Sequence, residues 1–519
     1  MTRIISLTIL IVSFCIFILC GCEETTNFLG TDESTVKEEV TLNEVSIPIE
    51  KPRTLNPAIS KDEDWYHLNK LIYEGLFKLN EIFYPECVLA KNYYYSEDGK
   101  TLTIELRTDV LWHDGNAFTA EDVKFTIDVF MSLRNSDLTL YGTHVSNIRS
   151  VKALDKHTIQ IIFSDVNDVA VENLIFPIIP KHIFKNITAV KNIVEFKPIG
   201  TGPYKVGSID MGNEIELVPN ESYRGAIPTN TLKVKVMPGV EEAINLFKIR
   251  EINMAFLKDI ERNTLLNDKD VNIKSFPSNE VEVVSFNFNH GALQDKNVRK
   301  AIAYAIDNEK IKESCYYNNA VLNDSIYYPN YLGIESNKEP YKYNTDKAKQ
   351  LLSQAGYQGL SLNLIVNGDN YARNIAAQII KSNLEDVGIS VTLRSLNWED
   401  YVSAIDSGDY DLFVGGFQIK NNYDTRSILQ SDSNIIGYSN KRLDFMLDKM
   451  QSAISQDEKQ GVFYAINDIL IDEIPYYCLL YKTYSIVTSN ELKGEISPNY
   501  NNIYNGCISW SMVYEKSGN

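Results

Sequence analysis

The amino-acid sequence predicts an α/β fold with at least two domains, and three observations lead to that prediction. The chain has 519 residues, more than a single hydrophobic core normally organises. Between residues 341 and 417, amphipathic helical segments alternate with short apolar strand segments, an order that favours parallel strand pairing. At Val281–Asp307, an apolar strand is followed, after a turn at His290-Gly291, by an amphipathic helix, which indicates a core strand and then a core helix.

The N-terminus has the layout of a secretory signal. Arg3 precedes an apolar run, and Gly21 and Cys22 follow that run before a polar stretch begins. A glycine before a cysteine here resembles a bacterial lipobox, so we expect residues 1–21 to be a lipoprotein signal peptide and Cys22 to be lipidated. Residues 22–40 would then be a flexible tether. A transmembrane anchor is the alternative, although the run is slightly short for the roughly 20 apolar residues of a span.

The charge and the metal-binding residue types exclude several classes of function. The net charge is −19, and removing Arg3 with residues 1–21 lowers it to −20. A nucleic-acid backbone would be repelled, so we expect no nucleic-acid partner. The seven cysteines form no Cys-x-x-Cys pair and the six histidines do not fall at ligand spacings, so we expect no metal and no cofactor. Whether Cys478 and Cys507 form a disulfide is left open by the sequence.

The first half of the chain begins with a strand that the sequence ends at prolines. Apolar residues alternate from Val45 to Ile49, and Pro52 and Pro57 then predict a loop because proline cannot donate to a strand ladder. A helix should follow near residues 68–76. The strands and loops of this half continue to about residue 284.

A hairpin and a capped helix are predicted between residues 93 and 131. Turn residues at 96–100 precede the alternating strand Leu102–Leu106, and Thr119 with Asp122 has nearly the spacing of a capping box. His113 and Asp114 lie at a turn, where neighbouring side chains point apart. We therefore interpret them as structural rather than as a catalytic pair.

The loop at residues 197–206 contains a Gly-x-Gly pattern without the context of a phosphate site. Gly200 and Gly202 permit a positive φ, and Pro203 fixes the exit into a strand. No helix follows to offer its N-terminus, and Pro203 removes one amide donor. A phosphate-binding role is therefore not predicted.

The second half has the clearest periodicity. Asp295 is a candidate N-cap for the helix that follows the central strand. Helices are expected near 341–357, 376–384, 443–454 and 462–471, and strands near 362–366, 391–396 and 409–417. Gly356 and Gly388 are expected to end the first two helices. Residues 474–481 should cross back toward the first half.

Several of these segments resemble one known family. Phe286–Asn289 with Val298–Asp307, the hairpin at 96–123 and the loop at 197–206 resemble signature segments of family 5 solute-binding proteins, the receptors of ABC importers for peptides, nickel and sugars. The resemblance runs from the first strand to Trp510, about 470 residues.

The resemblance implies an α/β, two-lobed periplasmic-binding-protein-like fold of the class II type, with mixed sheets, a large insertion domain and an interlobe cleft. Lobe 1 would comprise residues 41–284, including an accessory subdomain at about 76–194. Lobe 2 would comprise 285–483, and 484–519 would return to lobe 1. The lobes would be joined by two hinge crossings, near Val283–Asn287 and Tyr481–Ile486.

The resemblance also implies where the ligand binds. The cleft residues would be contributed by loops after strand ends. The candidates are Asn56, Tyr141, Gly415, Gly416, Phe417, Lys420, Asn421 and Asp424.

Peptide-binding relatives place an aspartate three positions after an aromatic residue, where it pairs with the ligand's amino terminus. Here Phe417 has the aromatic position and Lys420 has that of the aspartate. We therefore expect no clamp for a free α-ammonium at this place. Two alternatives are that Asp424 makes the clamp, or that Lys420 points to solvent.

The function implied is that of an extracytoplasmic, lipid-anchored bacterial receptor that captures oligopeptides or dipeptides for an ABC importer. Its partners would be the small solute, the permease subunits and, through the lipid, the membrane; we expect a monomer. The alternatives are a non-peptide solute, such as a metal chelate, an opine or an oligosaccharide, or a surface protein without a transport role. We expect no enzyme activity, because the sequence contains no catalytic motif.

Overall fold

The computed structural model describes residues 39–166, 170–193, 196–258, 260–334, 341–420, 424–453 and 455–515. The predicted signal peptide, Cys22 and nearly all of the predicted tether lie outside these residues, as does Asn421. Thr41–Tyr514 form one compact body, to which the description below refers.

Lobe 1 begins with two strands and a helix and continues after an insertion. The elements before the insertion are β1 Glu39–Leu42, β2 Glu44–Glu50 and α1 Glu63–Asn69. The alternation predicted in β2 is confirmed, because Val45, Ile47 and Ile49 are fully buried. Pro52 and Pro57 both lie in the loop between β2 and α1.

The inserted segment, called the accessory subdomain below, contains a four-stranded antiparallel sheet, a separate two-stranded sheet and helices. Its elements are β3 Phe77–Leu79, β4 Pro85–Cys87, β5 Ala90–Tyr95, β6 Thr101–Leu106, α2 Ala120–Leu133, β7 Ile148–Ala153, β8 Thr158–Phe163, α3 Ala170–Asn173, α4 Lys181–Phe184 and α5 Ile187–Asn192. The sheet order is β5-β6-β8-β7. The capping box is confirmed, since the Asp122 carboxylate accepts a hydrogen bond from the Thr119 amide at 3.0 Å.

After the insertion the chain completes the lobe 1 sheet. The elements are β9 Tyr204–Asp210, β10 Glu214–Pro219, β11 Thr231–Met237, α6 Val240–Lys248 and β12 Met254–Leu257. The order is β2-β11-β10-β9, in which β2 and β11 are parallel and the other pairs antiparallel. The lobe 1 core lies between this sheet and the lobe 1 ends of the two strands that connect the lobes.

Lobe 2 is an α/β domain built on the continuation of the same long strands. Its elements, with the first long strand, are β13 Val271–Phe286, α7 Gly291–Gln294, α8 Lys296–Ala305, α9 Asn308–Tyr316, β14 Ala320–Val321, α10 Thr345–Gln354, β15 Ser361–Asn367, α11 Tyr371–Asp386, β16 Ser390–Leu396, α12 Trp398–Ser407, β17 Leu412–Gln418, α13 Arg426–Leu429, α14 Lys441–Ser452 and α15 Gln456–Glu473. The predicted parallel pairing is confirmed for β15 with β16 and with β17. The Asp295 cap is confirmed by a 2.8 Å bond from the Asn297 amide.

The chain then returns along the second long strand. The remaining strands are β18 Tyr476–Ser489, β19 Leu492–Lys493 and β20 Ser511–Glu515, and short 3-10 helices lie at Thr143–Val145, Ile260–Thr264, Tyr331–Gly333 and Cys507–Ser509. β13 and β18 pair antiparallel along almost their whole length, in a sheet of order β12-β18-β13-β17-β15-β16.

The crossing between lobes lies where the β13–β18 ladder is irregular. The register shifts between Pro277 and Val281, opposite Tyr481–Thr483. Phe276 packs in the lobe 1 core and Val284 in a lobe 2 core. The predicted second crossing coincides with this place, but the first lies a few residues before the predicted Val283–Asn287, because the change from buried to alternating residues at Val284 occurs inside lobe 2.

Three further expectations concern cysteines, metals and membranes. Cys478 and Cys507 are both free buried thiols, and they belong to different cores, so the possible disulfide is not formed. Within the described ranges, no group of three or more His, Cys, Asp and Glu could hold a metal ion. In the same ranges, no helix is both long and apolar enough to cross a bilayer.

Candidate functional site

Three separate segments of lobe 1 meet at one buried carboxylate. Glu74 is 8% exposed and accepts hydrogen bonds from both terminal nitrogens of Arg224 at 2.8 Å. The hydroxyls of Thr201 and Tyr223 donate to the same carboxylate at 2.8 and 3.1 Å. These residues hold three loops together, so the segments have a structural role.

The Gly-x-Gly loop depends on the absence of side chains rather than on special dihedral angles. A Cβ at Gly200 would lie 1.8 Å from the Ile72 carbonyl oxygen, and one at Gly202 would lie 2.5 Å from that of Leu71. Neither glycine is among the described residues with positive φ, which corrects that expectation. The loop needs glycine because two backbones approach closely.

His113 fixes the same loop and is not a catalytic base. Its Nδ1 accepts from the Gly200 amide and its Nε2 donates to the Gly202 carbonyl, each at 3.1 Å. Burial lowers the pKa of His113 to about 4, so the ring is neutral near pH 7. Asp114 points elsewhere and contacts His182 at 2.7 Å. The two side chains therefore act separately, which agrees with their interpretation as structural residues rather than as a catalytic pair.

Asn56, a predicted cleft residue, has a fully buried side chain. Its amide nitrogen donates to the carbonyls of Val190 and Ile193 at 2.9 and 3.0 Å, and its oxygen accepts from the Ala58 amide at 3.1 Å. These bonds join the loop after β2 to the end of α5. The structure thus gives Asn56 a role in fixing the accessory subdomain.

Tyr141 also lies in a core rather than on an open surface. Its ring packs against Phe130 at 5.1 Å and Phe176 at 6.1 Å between centroids. It is 4% exposed, and burial raises the pKa of its hydroxyl well above the ordinary value. It borders a cavity of about 1050 Å³ in lobe 1 and the accessory subdomain.

The two glycines near the end of β17 lie against an ion pair of lobe 2. A Cβ at Gly416 would lie 2.6 Å from an Arg373 nitrogen, and one at Gly415 would lie 2.8 Å from the Tyr401 hydroxyl. Arg373 holds Glu282 through two hydrogen bonds of 2.7 and 2.9 Å. The glycines are therefore needed for packing of the strand against helices α11 and α12.

Phe417 and Lys420 lie at the end of the same strand. Phe417 is half-buried, with its ring edge-on to Tyr476 at 5.1 Å. Lys420 is exposed, and burial together with the Lys420 charge lowers the pKa of His144 to about 4. Since His144 belongs to the accessory subdomain, the charge of Lys420 in lobe 2 acts across to that subdomain.

Asp424 is already engaged by a neighbouring arginine. Arg426 donates to its two oxygens at 2.8 and 2.7 Å, and the Arg426 amide adds a bond of 3.2 Å. Burial acts to raise the pKa of Asp424, but the Arg426 bonds outweigh burial and lower it. Its charge is thus matched within the protein.

A cavity of about 110 Å³ lies between the lobes at the hinge strands. Lobe 1 and lobe 2 each contribute one wall, and β18 contributes the floor. The lining residues are Lys258, Arg262, Asn263, Cys315, Tyr316, Asn319, Asn370, Ala372, Lys482 and Thr483.

The charges around this cavity are matched with one exception. Lys258 pairs with Glu63 at 2.5 Å and Lys482 with Glu280 at 2.7 Å. Arg262 is the exception: it is 9% exposed and forms no ion pair with any residue in the described part of the chain. Its Nε has no hydrogen-bond partner.

Sequence reasoning missed Lys258, Arg262 and Lys482. The available signal was the location of Lys258 directly after the apolar strand β12, because polar residues at strand ends line clefts in α/β proteins. Arg262 lines this cavity together with residues far away in sequence, such as Tyr316 and Asn370, and no local pattern reveals that placement.

Comparison with known proteins places these features in context. Residues 85–434 match the sequence model of "Bacterial extracellular solute-binding proteins, family 5 Middle". The oligopeptide-binding protein AppA of Bacillus subtilis is 24% identical, with 86% of this chain and 87% of the relative covered. The glutathione-binding protein GsiB of Escherichia coli is 24% identical, with 85% and 89% covered.

Solved structures agree with the fold. The substrate-binding protein CtaP of Listeria monocytogenes superposes with a TM-score of 0.73 at 24% identity, covering 90% of this chain and 99% of CtaP. NikZ of Campylobacter jejuni, solved with Ni(L-His), gives a TM-score of 0.65 at 25% identity and covers 90% and 99%. The two-lobed α/β architecture predicted from the sequence is confirmed.

Proposed function

Since the chain belongs to family 5 of the bacterial extracellular solute-binding proteins, we propose that it captures short peptides and delivers them to an ABC importer. The observation that carries the proposal is the cavity between two lobes that share only the long strands β13 and β18 as continuous elements. Relatives whose names specify oligopeptides and glutathione support a peptide ligand.

The hinge supports a closing motion around the ligand. The ladder between β13 and β18 is irregular at Pro277–Val281 and again at Glu282–Val283, so rotation of the lobes about this segment would disturb little regular strand pairing. Lys459 of lobe 2 pairs with Glu172 of the accessory subdomain at 2.5 Å, with both side chains buried. Binding and release, rather than chemical turnover, are the activity that this arrangement serves.

The residues at the end of β17 favour a ligand whose amino terminus is not bound at this place. Lys420 would repel an ammonium group, and Asp424 is neutralised by Arg426. We retain Phe417, Lys420, Asn421 and Asp424 as proposed ligand-facing residues. Gly415, Gly416, Asn56 and Tyr141 act by holding the walls of the cleft.

The proposal is tested by calorimetry, which measures the affinity for a pool of di- to pentapeptides and for the same pool acetylated at the N-terminus. Both pools should bind with affinities within about threefold of each other, because Asp424 is already paired with Arg426 and Lys420 would repel the ammonium. The ratio of the two affinities should be the same in Asp424→Asn as in the wild type.

Strong preference for free amino termini that is abolished in Asp424→Asn would contradict the amino-terminus proposal. Binding of a metal chelate, an opine or an oligosaccharide, without binding of either peptide pool, would replace peptide by that solute. No binding of any of these would favour a surface protein without a transport role.

We also propose that Cys22 carries a lipid that holds the receptor at the extracytoplasmic face of the membrane, where it acts as a monomer with the permease subunits. The support is the Gly21-Cys22 pair after an apolar run. Replacing Cys22 by alanine should release the protein from the membrane fraction of its host. Unchanged processing and membrane attachment would contradict lipidation.

A further inference from the structure

The accessory subdomain is inserted in lobe 1, yet it also contacts lobe 2 beside the hinge. The turn between β3 and β4 carries Phe83, which is 3% exposed and packs edge-on against Tyr328 with 4.6 Å between ring centroids. The Tyr328 hydroxyl donates to the Pro277 carbonyl at 3.0 Å, in the irregular segment of β13. The Leu332 amide donates to the Ile82 carbonyl at 2.9 Å. The accessory subdomain is therefore attached to lobe 2 at a place outside the two long strands.

Each side of this contact holds a bulky residue in the left-handed backbone region. Phe83 has a φ of 63° and Leu332 a φ of 54°, values that are unfavourable for side chains of this size. Such strain persists only where the surrounding packing imposes it. Because separation of the lobes would remove that packing, relief of the strain favours opening, whereas the ring contact and the hydrogen bond favour closure.

A buried ion pair completes the contact. The Lys459 Nζ lies 2.5 Å from Oε1 of Glu172, and the two side chains are only 7% and 9% exposed. The other oxygen of Glu172 has no hydrogen-bond partner among the described residues. Gln460 follows Lys459 and donates to the Leu332 carbonyl at 2.7 Å, so the ion pair and the strained Leu332 are held by the same turn of α15.

An ion pair suits a contact that has to open as well as close. Burial removes both charges from water, and that desolvation offsets much of their attraction. When the lobes separate, Lys459 and Glu172 regain water, so opening leaves no charge stranded in the interior. Two apolar side chains at the same positions would instead be exposed to water on opening, which would favour the closed arrangement.

We propose that Phe83, Glu172, Tyr328, Leu332 and Lys459 form a reversible latch, by which the accessory subdomain holds lobe 2 in the closed arrangement. The latch sets the closed fraction of the ligand-free receptor, and a bound ligand adds its own contacts to the same state. The inference rests on the proposed function, since it concerns the motion that encloses the ligand.

The test compares Lys459→Met with the double variant Lys459→Met/Glu172→Met. The single variant leaves Glu172 buried without its cation when the lobes are closed, so it should shift the ligand-free protein toward the open state. The double variant replaces the ion pair by two apolar side chains and should remain closed. Lys296→Met is the matched control, because Lys296 is an exposed lobe 2 lysine paired with Asp472, and its removal changes the net charge equally.

Two measurements on the ligand-free proteins report the opening. Small-angle X-ray scattering should give a larger radius of gyration for Lys459→Met than for the wild type, the double variant and the control. Hydrogen exchange of the Leu332 amide, which is bonded to Ile82 across the contact, should be about tenfold faster in Lys459→Met alone. Circular dichroism establishes that each variant is folded before the comparison.

Peptide affinity links the latch to the receptor's function. Because binding weakens in proportion to the loss of the closed fraction, Lys459→Met should bind the di- to pentapeptide pool about tenfold more weakly than the wild type. The double variant should bind that pool at least as tightly as the wild type. Calorimetry measures both affinities.

Each outcome has one consequence. Unchanged scattering and unchanged Leu332 exchange in Lys459→Met overturn the latch but leave the peptide receptor intact. Equal opening of the single and double variants also overturns it, because general disruption of the contact, rather than a stranded charge, then explains both. The same opening in Lys296→Met would assign the effect to net charge, with the same consequence. If no peptide binds while scattering and exchange follow the expected order, the latch is supported and the proposed function fails.

Discussion

Glu74 and Arg262 are two buried charges of lobe 1 with opposite surroundings. Glu74 receives two bonds from Arg224 and one each from Thr201 and Tyr223, so its carboxylate is fully satisfied by the chain itself. Arg262 has one weak carbonyl contact and an unpartnered Nε. The two side chains are therefore buried to a similar extent but differ in how many of their polar atoms have partners.

The difference teaches how to separate structural from binding charges in this fold. A charge that fixes loops has its partners on several segments of the protein, as Glu74 does. A charge with few partners, such as Arg262, lies instead on the wall of a cavity and is a candidate for contact with a ligand. Substituting one arginine at each place tests this contrast directly.

The largest effect is expected from Arg224→Met. The substitution leaves Glu74 buried without its counter-charge, and breaking a buried pair in this way costs about 4 kcal/mol of the free energy of unfolding. Urea denaturation without ligand measures the loss. Tyr223→Phe removes a single hydrogen bond and should cost only about 1 kcal/mol.

Arg224→Lys provides the matched control, since it keeps the charge but loses the two-pronged geometry. Its stability should lie between those of the wild type and Arg224→Met. A loss below about 1 kcal/mol in Arg224→Met would show that Glu74 does not depend on its arginine, and the contrast with Arg262 would disappear.

The smallest effect is expected from Arg262→Gln in the ligand-free protein. The free energy of unfolding should stay within about 1 kcal/mol of the wild type or rise, because no strong partner is lost and a buried charge is removed. The same urea titration measures it. A loss above about 2 kcal/mol would mean that Arg262 has a partner in the chain and is structural after all.

Much of the fold could be predicted because its signals are local. The helix stripe of α8, the glycine ends of α10 and α11, and the alternation in β2 each depend on a few neighbouring residues. The crossing in β13 could not be placed as well. Its irregularity at Pro277–Val281 depends on pairing with Tyr481–Thr483, about two hundred positions later.

The site was less accessible to sequence reasoning for the same physical reason. Asn56 was expected in the cleft because loops after strand ends often face the crevice, and the structure shows its side-chain amide bonded to carbonyls at the end of α5. The placement of Arg262 on a cavity shared with lobe 2 residues also depends on tertiary contacts. Lys420, by contrast, could be identified from the sequence alone, by its position three residues after Phe417.

The position of β18 in its sheet has a consequence for how the chain acquires its structure. β18 lies between β12 and β13, yet ribosomes produce it more than 180 positions after β13 ends at Phe286. Until Tyr476–Ser489 emerge, β12 and β13 have unpaired edges, which are prone to association with other chains. Neither lobe can complete its folding before β18 has been synthesised. We therefore expect the two lobes to fold slowly and together, and truncation near the C-terminus to impair the folding of both.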